Sequence, residues 1–266
     1  MELKVQGTPV YAHTGGQDFD PAKPAVVFVH GAGMDHTVWG LQARYVAHHG
    51  HAVLSVDLPG HGRSGGTTLD TVEKLGDWIS ALLDAAGAKS ATLVGHSMGA
   101  LASLSAAARH PARVARLVLC GVAGKMTVHP ELIAAAENDP PLARDLIVDW
   151  GFGGRGRIGG NTAVGLWLAT TAQRLIDRAA SGVLAADLKA CNAYAAGEAD
   201  AAKVGCPALL VLGEADRMTP AKAGRALAQA IKGAEAVAIA DCGHMMMVEQ
   251  PDATLDALTD FLGKAS

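Results

Sequence analysis

The sequence predicts an α/β fold with a mostly parallel, doubly wound sheet and an all-helical segment inserted into it. Three observations lead to this prediction. Short apolar, β-branched runs alternate with helical stretches along most of the 266 residues. The alternation stops over residues 123–203, where no clear buried strand can be found. A serine flanked by glycines directly follows one apolar run and precedes a helical stretch.

Six apolar runs have the composition of strands that are buried on both faces of a parallel sheet. Each run is short and is dominated by aliphatic residues. They occupy residues 24–30, 51–57, 91–94, 114–119, 207–212 and 236–240. Ahead of them, the pairs 4–5 and 10–11 predict an antiparallel lead-in to the sheet.

Helical stretches separate these strands. Pro220 and Pro251 stand where the first turn of a helix tolerates proline. The predicted helices cover residues 37–48, 69–86, 98–109, 220–231 and 251–262. The core domain is therefore predicted to comprise residues 1–122 and 204–266.

The segment 123–203 is predicted to form a helical cap. Its predicted helices cover residues 130–137, 141–150, 162–178 and 182–198, with a glycine-rich loop at 151–160. An insertion between two parallel strands lies over their C-terminal ends, which is where open α/β sheets bind ligands. The cap is therefore expected to cover the functional site.

Composition excludes several classes of function. The chain is 50% hydrophobic and 18% charged with a net charge of −4, so it can bury a large core and has no basic surface for nucleic acid. No apolar run reaches the length of a membrane span. The four cysteines are widely spaced, which predicts reduced thiols and no metal site. The N-terminus lacks the features of a secretory signal, so a cytoplasmic protein is expected.

The sequence GHSMG at residues 95–99 predicts a nucleophilic serine. It lies between a predicted strand and a predicted helix, so Ser97 would occupy a sharp, strained turn at the edge of the sheet. Such a turn brings the backbones of Gly95 and Gly99 close together, and only very small residues fit there. The alternative is an ordinary glycine-rich turn, and the rest of the chain decides between the two.

An acid and a histidine follow in the order that this chemistry requires. A serine hydroxyl needs a base, and the base needs a carboxylate to fix its tautomer. Asp216 follows the strand at 207–212, and His244 follows the strand at 236–240. Glu214 is the competing acid, but it stands nearer the end of the strand.

The loop at residues 30–35 is expected to supply half of an oxyanion hole. Two backbone N–H groups must point at the oxygen that becomes negative during the reaction. One belongs to Met98, the residue after the serine. The other is assigned to Ala32 in the glycine-rich loop, with Gly33 as the fallback.

Taken together, five segments of the chain resemble the α/β-hydrolase fold superfamily. These are HGAG at 30–33, DLPGHGRS at 57–64, GHSMG at 95–99, GEAD at 213–216 and GH at 243–244. The resemblance extends from residue 24 to the C-terminus and is closest to the lid-bearing serine hydrolases. It implies a triad and two oxyanion donors, namely Ser97, Asp216, His244, Ala32 and Met98.

The same resemblance limits two further assignments. Segment 57–64 is a structural loop in that superfamily, so His61 receives no catalytic role. Haloalkane dehalogenases and epoxide hydrolases of this fold carry aspartate in place of the serine, which argues against those activities.

The walls of the substrate pocket are less clear from sequence. The expected lining residues are Gly33, Met126, Trp150, Phe152, Trp167 and Met245. Leu146 is a further candidate, although the cap residues could equally be ordinary helix-packing core. The methionines at 245–247 could line an apolar pocket or simply pack. Arg155 and Arg157 could bind a substrate carboxylate or stay solvated.

These features predict a serine hydrolase that cleaves a small to medium, largely apolar ester or thioester without any cofactor. The alternatives on the same triad are a lactonase, a carbon–carbon bond hydrolase and a cofactor-free haloperoxidase. A non-catalytic ligand receptor is the alternative of another class. The expected partner is a small-molecule substrate, with neither nucleic acid nor membrane. The oligomeric state stays open between monomer and homodimer.

Overall fold

A computed structural model describes residues 1–157, 160 and 167–264 of the chain. Within this part, one eight-stranded sheet has the order β1-β2-β4-β3-β5-β6-β7-β8. The strands are β1 Glu2–Val5, β2 Thr8–His13, β3 Ala25–Val29, β4 Ala52–Val56, β5 Ala91–His96, β6 Val114–Cys120, β7 Ala208–Gly213 and β8 Glu235–Ile239. β1 and β2 pair antiparallel, β2 joins β4 antiparallel, and all later pairs are parallel. The predicted α/β class and antiparallel lead-in are confirmed.

The central strands are buried as predicted, but β8 is not. β3, β4, β5 and β7 are buried at every residue. Along β8, residues Glu235–Val237 are exposed, because this strand is the edge of the sheet and pairs only with β7. The apolar composition of β8 led the sequence analysis to expect a buried strand there.

Helices pack on both faces of the sheet. The principal ones are α1 Gly40–His48, α2 Val72–Ala85, α3 Met98–Arg109, α10 Ala221–Ala230 and α12 Pro251–Gly263, and the short α11 spans Met246–Glu249. One apolar cluster contains Leu75, Leu101 and Leu227, which come from α2, α3 and α10. A second cluster contains Val46 and Leu258 from α1 and α12. The two clusters lie on opposite faces, so the sheet is doubly wound.

Six helices lie between β6 and β7 in the described residues. They are α4 Pro130–Asn138, α5 Pro140–Gly151, α6 Gly154–Arg157, α7 Leu168–Asp177, α8 Val183–Ala193 and α9 Gly197–Ala201. Leu132, Ile147, Ile176 and Leu184 join four of them, α4, α5, α7 and α8, in a third apolar cluster. Part of the loop expected at 151–160 is therefore helical, and the start of the helix expected at 162–178 lies outside the described residues.

The helix expected at 182–198 is divided in two. Tyr194 adopts an extended backbone and ends α8, and its hydroxyl donates a hydrogen bond of 2.6 Å to the Asp200 carboxylate in α9. α9 also needs glycine at its start, because a Cβ on Gly197 would lie 1.9 Å from the carbonyl oxygen of Gly124. Helical periodicity alone does not reveal such a close contact between distant segments.

None of the helices in the described part of the chain combines the length with the apolar character that a membrane crossing requires.

Candidate active site

Ser97 occupies a strained turn between β5 and α3. Its φ is +52°, a left-handed value that is unfavourable for a side chain with a Cβ. The turn is possible because the residues two positions before and after Ser97 are glycines: a Cβ on Gly95 would lie 2.2 Å from the carbonyl oxygen of Gly99. The Ser97 N–H donates to the carbonyl oxygen of Cys120 at 2.9 Å, which ties the turn to β6. Ser97 lines a cavity at the C-terminal edge of the sheet.

His244 and Asp216 form a buried hydrogen-bonded pair beside this cavity. His244 Nδ1 lies 2.8 Å from Asp216 Oδ2, and both residues are less than a tenth exposed. Because Nδ1 is engaged by the carboxylate, Nε2 is the nitrogen available to the serine. His244 and Ser97 line the same cavity.

Several donors hold the Asp216 carboxylate in its charged form. The N–H groups of Met218 and Thr219 donate to Oδ1, both at 2.8 Å, and the Thr219 hydroxyl donates to Oδ2 at 2.7 Å. Burial alone would raise the pKa of Asp216, but the charge on His244 and these hydrogen bonds outweigh burial and lower the pKa. Glu214, the competing acid, is exposed.

His96, the last residue of β5, supports His244. Its Nε2 donates to the His244 carbonyl oxygen at 2.9 Å, and the residue is fully buried. Burial, followed by the charge on His244, lowers the pKa of His96 to about 3. His96 is therefore neutral at physiological pH and fixes the backbone of the loop that carries His244.

Glu249 connects the loop that carries His244 to the residues around the end of α5. Its carboxylate accepts hydrogen bonds from the N–H groups of Gly153 at 2.8 Å and Met245 at 3.2 Å. Burial raises the pKa of Glu249. The His244 N–H also donates to the carbonyl oxygen of Gly151 at 2.7 Å. The loop that carries His244 is therefore held to the residues around the end of α5 by several hydrogen bonds.

The glycine-rich loop after β3 forms a tight turn at the cavity. The Met34 N–H donates to the Gly31 carbonyl oxygen at 3.3 Å, and Gly33 has a φ of +66°, as the third position of a type II turn requires. The Gly33 N–H donates to Asp187 Oδ2 at 2.9 Å and is therefore already used. Ala32 lines the cavity beside Ser97 and is left as the candidate oxyanion donor of this loop.

Met98 is the candidate for the second oxyanion donor. It is the first residue of α3, and the N–H groups of a first helical turn have no partner within their helix. The positive end of the helix dipole also favours negative charge at this point.

The cavity has a volume of about 460 Å³ and a mainly apolar wall. Of the expected lining residues, Met126, Trp150 and Met245 line it, whereas Gly33, Phe152 and Trp167 lie outside its lining. Phe152 is buried in the second apolar cluster, and Trp167 is 66% exposed. Further apolar wall residues are Val128, Leu132, Ile147, Leu188 and Met218, and the guanidinium-bearing Arg217 is also part of the wall.

Four residues whose roles the sequence left open lie away from the cavity wall. Met246 and Met247 are fully buried in the core. Arg155 is 65% exposed at its side chain and pairs with Asp241 at 3.6 Å, which favours the interpretation that it is a solvated surface charge. Leu146 packs against the third apolar cluster rather than at the cavity.

Arg157 is likewise outside the cavity lining and pairs with the Asp149 carboxylate at the surface.

Among the described residues, one group of side chains could present metal-ligand atoms: Asp35, His36 and Asp57. These atoms already have partners. Asp57 accepts from His36 Nδ1 at 2.8 Å and from the Arg63 N–H at 2.8 Å, and Asp35 pairs with Arg178 at 2.6 Å. The group acts as a hydrogen-bonded network that holds the loops around it.

A family model described as "Alpha/beta hydrolase family" matches residues 26–257. The chain belongs to this family. The match covers both the glycine-rich loop after β3 and the segments that carry Ser97, Asp216 and His244. The protein is thus an α/β hydrolase and an enzyme.

Relatives with known names match nearly the full length of this α/β hydrolase. A pimeloyl-[acyl-carrier protein] methyl ester esterase from Aromatoleum aromaticum is 30% identical over 86% of this chain and 94% of its own. A 3-oxoadipate enol-lactonase from Acinetobacter baylyi is 27% identical over 90% of this chain and 88% of its own. The crystal structure of an enol-lactonase from Burkholderia xenovorans superimposes with a TM-score of 0.88 at 25% identity, covering 99% of this chain and all of that one.

Sequence reasoning missed three residues around the site and gave a fourth, His61, no catalytic role. Thr219 and Glu249 hold the acid and the loop that carries His244, and Asp187 accepts hydrogen bonds from His61 and from the Gly33 N–H of the glycine-rich loop. Only Thr219, three residues after Asp216, carried a local signal, since a hydroxyl near an acid often caps a turn. The other contacts join segments that are far apart in sequence.

Proposed function

We propose that this α/β hydrolase cleaves a carboxylic ester through an acyl-enzyme intermediate on Ser97. The observation that supports it most is the 2.8 Å hydrogen bond between Asp216 and His244 Nδ1, because His244 lines the same cavity as Ser97. The strained backbone of Ser97 adds to this support, because such strain is concentrated at functional sites.

The reaction follows from the proposed roles of these groups. His244 Nε2 takes the proton of the Ser97 hydroxyl as the oxygen attacks the ester carbonyl, and Asp216 stabilises the resulting imidazolium. The N–H groups of Ala32 and Met98 bind the oxyanion of the tetrahedral intermediate. His244 then protonates the leaving alcohol. A water molecule, deprotonated by His244, attacks the acyl-enzyme and releases the acid.

Helices α4, α5 and α8 support the proposal that residues 123–203 form a cap over this site. They contribute Leu132, Ile147 and Leu188 to the cavity wall. An apolar wall and a volume of about 460 Å³ favour an uncharged acyl group of small to medium size. The methyl ester esterase among the relatives likewise acts on a carboxylic ester.

A lactone is the second candidate substrate. It is a cyclic ester, so the same triad can open it, with the leaving alcohol still attached to the acyl group. The full-length similarity to two enol-lactonases favours this candidate.

The thiols of Cys120, Cys191 and Cys242 are free and buried, which fits a reducing compartment such as the cytoplasm.

A substrate panel tests the proposed function. We expect the purified protein to hydrolyse p-nitrophenyl esters, with kcat/KM highest for acyl chains of about four to eight carbons, which fit a cavity of this size. The second half of the panel consists of γ- and δ-lactones with matching side chains. Their turnover is measured from the release of acid. A higher kcat/KM for lactones selects the second candidate. The absence of turnover on both halves contradicts the proposal.

A further inference from the structure

Asp187 is a buried carboxylate on α8 that contacts two segments of the core domain. Its Oδ2 accepts hydrogen bonds from the Gly33 N–H at 2.9 Å and from His61 Nε2 at 2.8 Å. The side chain is only 2% exposed. A buried charge without partners is costly in free energy, so these two donors stabilise the buried Asp187 carboxylate.

His61 is protonated in this arrangement. Its Nδ1 lies 3.0 Å from the Pro59 carbonyl oxygen, and its Nε2 lies 2.8 Å from the Asp187 carboxylate. Both neighbours are acceptors, so both ring nitrogens must donate. Burial lowers the pKa of His61, but the hydrogen bond and charge of Asp187 outweigh it and raise the pKa overall. His61 and Asp187 therefore form a buried ion pair.

The other titratable groups near His61 do not replace this partner. The His30 ring lies 4.9 Å away, and burial, followed by the charge on His61, lowers its pKa to about 4, so it is neutral. Asp57, on the same loop as His61, already accepts hydrogen bonds from His36 and Arg63. Asp187 is the carboxylate that directly contacts the His61 ring.

The second bond of Asp187 fixes the turn that carries the proposed oxyanion donor. The Gly33 N–H and the Ala32 carbonyl share one rigid peptide plane, so holding this N–H also fixes the backbone next to Ala32. Leu184, from the same helix, packs against the turn: a Cβ on Gly33 would lie 2.9 Å from Leu184 Cδ1. α8 thus holds the turn both by a hydrogen bond and by packing.

We propose that Asp187 is a positioning residue, which holds the Gly31–Met34 turn against α8 so that the Ala32 N–H faces the oxyanion, with His61 as its buried counter-ion. This inference rests on the proposed ester hydrolysis. It adds that the oxyanion hole is complete only while α8 is docked on the core.

Substitutions at Asp187 test the proposal. In Asp187→Leu, the Gly33 N–H loses its acceptor and the turn relaxes. Because one oxyanion donor contributes about 10²–10³-fold to kcat, we expect kcat to fall about 100-fold. KM should change less than threefold, because the cavity that binds the acyl group is unaltered. Asp187→Asn keeps an oxygen that can accept from the Gly33 N–H and from the Nε2–H of a neutral His61, so its kcat should stay within about fivefold of wild type.

Lys189 on the same helix provides a matched control. It pairs with Glu137 at the surface and is 56% exposed at its side chain. Lys189→Gln removes an ion pair of α8 without touching the Gly31–Met34 turn, so its kcat should equal that of wild type. A loss in this variant comparable to that in Asp187→Leu would indicate a general effect on α8 and would overturn the proposal.

A double variant covers the case in which Asp187→Leu leaves His61 as an unpaired buried charge and does not fold. Asp187→Leu/His61→Leu removes both charges, and its folding is checked by circular dichroism and thermal melting. We expect this folded protein to show the low kcat and the near-normal KM that are predicted for Asp187→Leu. A wild-type kcat in the double variant, or in a folded Asp187→Leu, overturns it.

Fluorophosphonate labelling separates this inference from the proposed function. In all of these variants Ser97 should still be phosphonylated to completion, although more slowly where Asp187 is absent. A wild-type protein without any adduct contradicts ester hydrolysis itself. A labelled wild type and an Asp187→Leu variant with equal kcat contradict only the role of Asp187.

Discussion

At the scale of single residues, the polar groups of the site are held in fixed orientations by their hydrogen bonds. Asp216 accepts from two N–H groups, one hydroxyl and one imidazole, so its orientation towards His244 is fixed. The order of serine, acid and histidine along the chain predicted three residues, of which the structure pairs two and places the third on the same cavity. Their catalytic roles remain a proposal that substitutions can test.

Asp216→Asn should abolish most activity without disturbing the fold. The amide can donate to His244 Nδ1 and thereby favours the tautomer that cannot accept the serine proton, so kcat should fall by about 10⁴, as in other triads. Glu214→Gln is the matched control, because this acid stands two residues earlier and is exposed.

The measurement is kcat on the best ester from the panel. Equal losses in the two variants, or a full kcat in Asp216→Asn, would contradict the assignment of the acid.

At the scale of elements, the sequence predicted strands and helices well where a period or a proline marks them. The parallel strands and the helices beginning at Pro130 and Pro251 followed from local composition. The exposure of β8 did not, because only the strand order shows that it is an edge. The division between α8 and α9 depends on a close approach of Gly197 to Gly124, which periodicity does not reveal.

The pocket was the least predictable element for the same reason. Trp150 lines the cavity, whereas Trp167, an equally large aromatic residue between the same strands, is exposed. Which face of a helix between β6 and β7 meets the cavity depends on tertiary packing. The contacts of Asp187 and Glu249 likewise join segments about 150 and 100 residues apart.

At the scale of the whole molecule, the buried histidines link stability to pH. His30 and His96 are fully buried, and their pKa values are lowered to about 4 and about 3, in each case first by burial. In the unfolded chain both take up a proton below about pH 6.5. The unfolded state therefore binds more protons between about pH 4 and 6.5, and stability must fall as the pH falls through this range.

Urea unfolding at a series of pH values tests this linkage. Each histidine contributes a slope of about 1.4 kcal/mol per pH unit in this window. Glu249, whose pKa is raised mainly by burial, offsets part of the loss, because its folded form binds the proton first. His61 has a raised pKa, so its stabilisation is complete below about pH 6.5 and is lost only as the pH rises through its folded pKa.

His96→Asn should therefore flatten the dependence between pH 4 and 6.5 relative to wild type, whatever its effect on stability at pH 7. A free energy of unfolding that is independent of pH in this range would contradict the neutral state of both histidines.

The central claim is that Ser97 is an activated nucleophile, and it is tested most directly by intact-mass spectrometry after exposure to a fluorophosphonate. Wild-type protein should gain the mass of one phosphonyl group, and Ser97→Ala should gain none. A wild type without an adduct, or a Ser97→Ala variant labelled to the same extent, would contradict the claim.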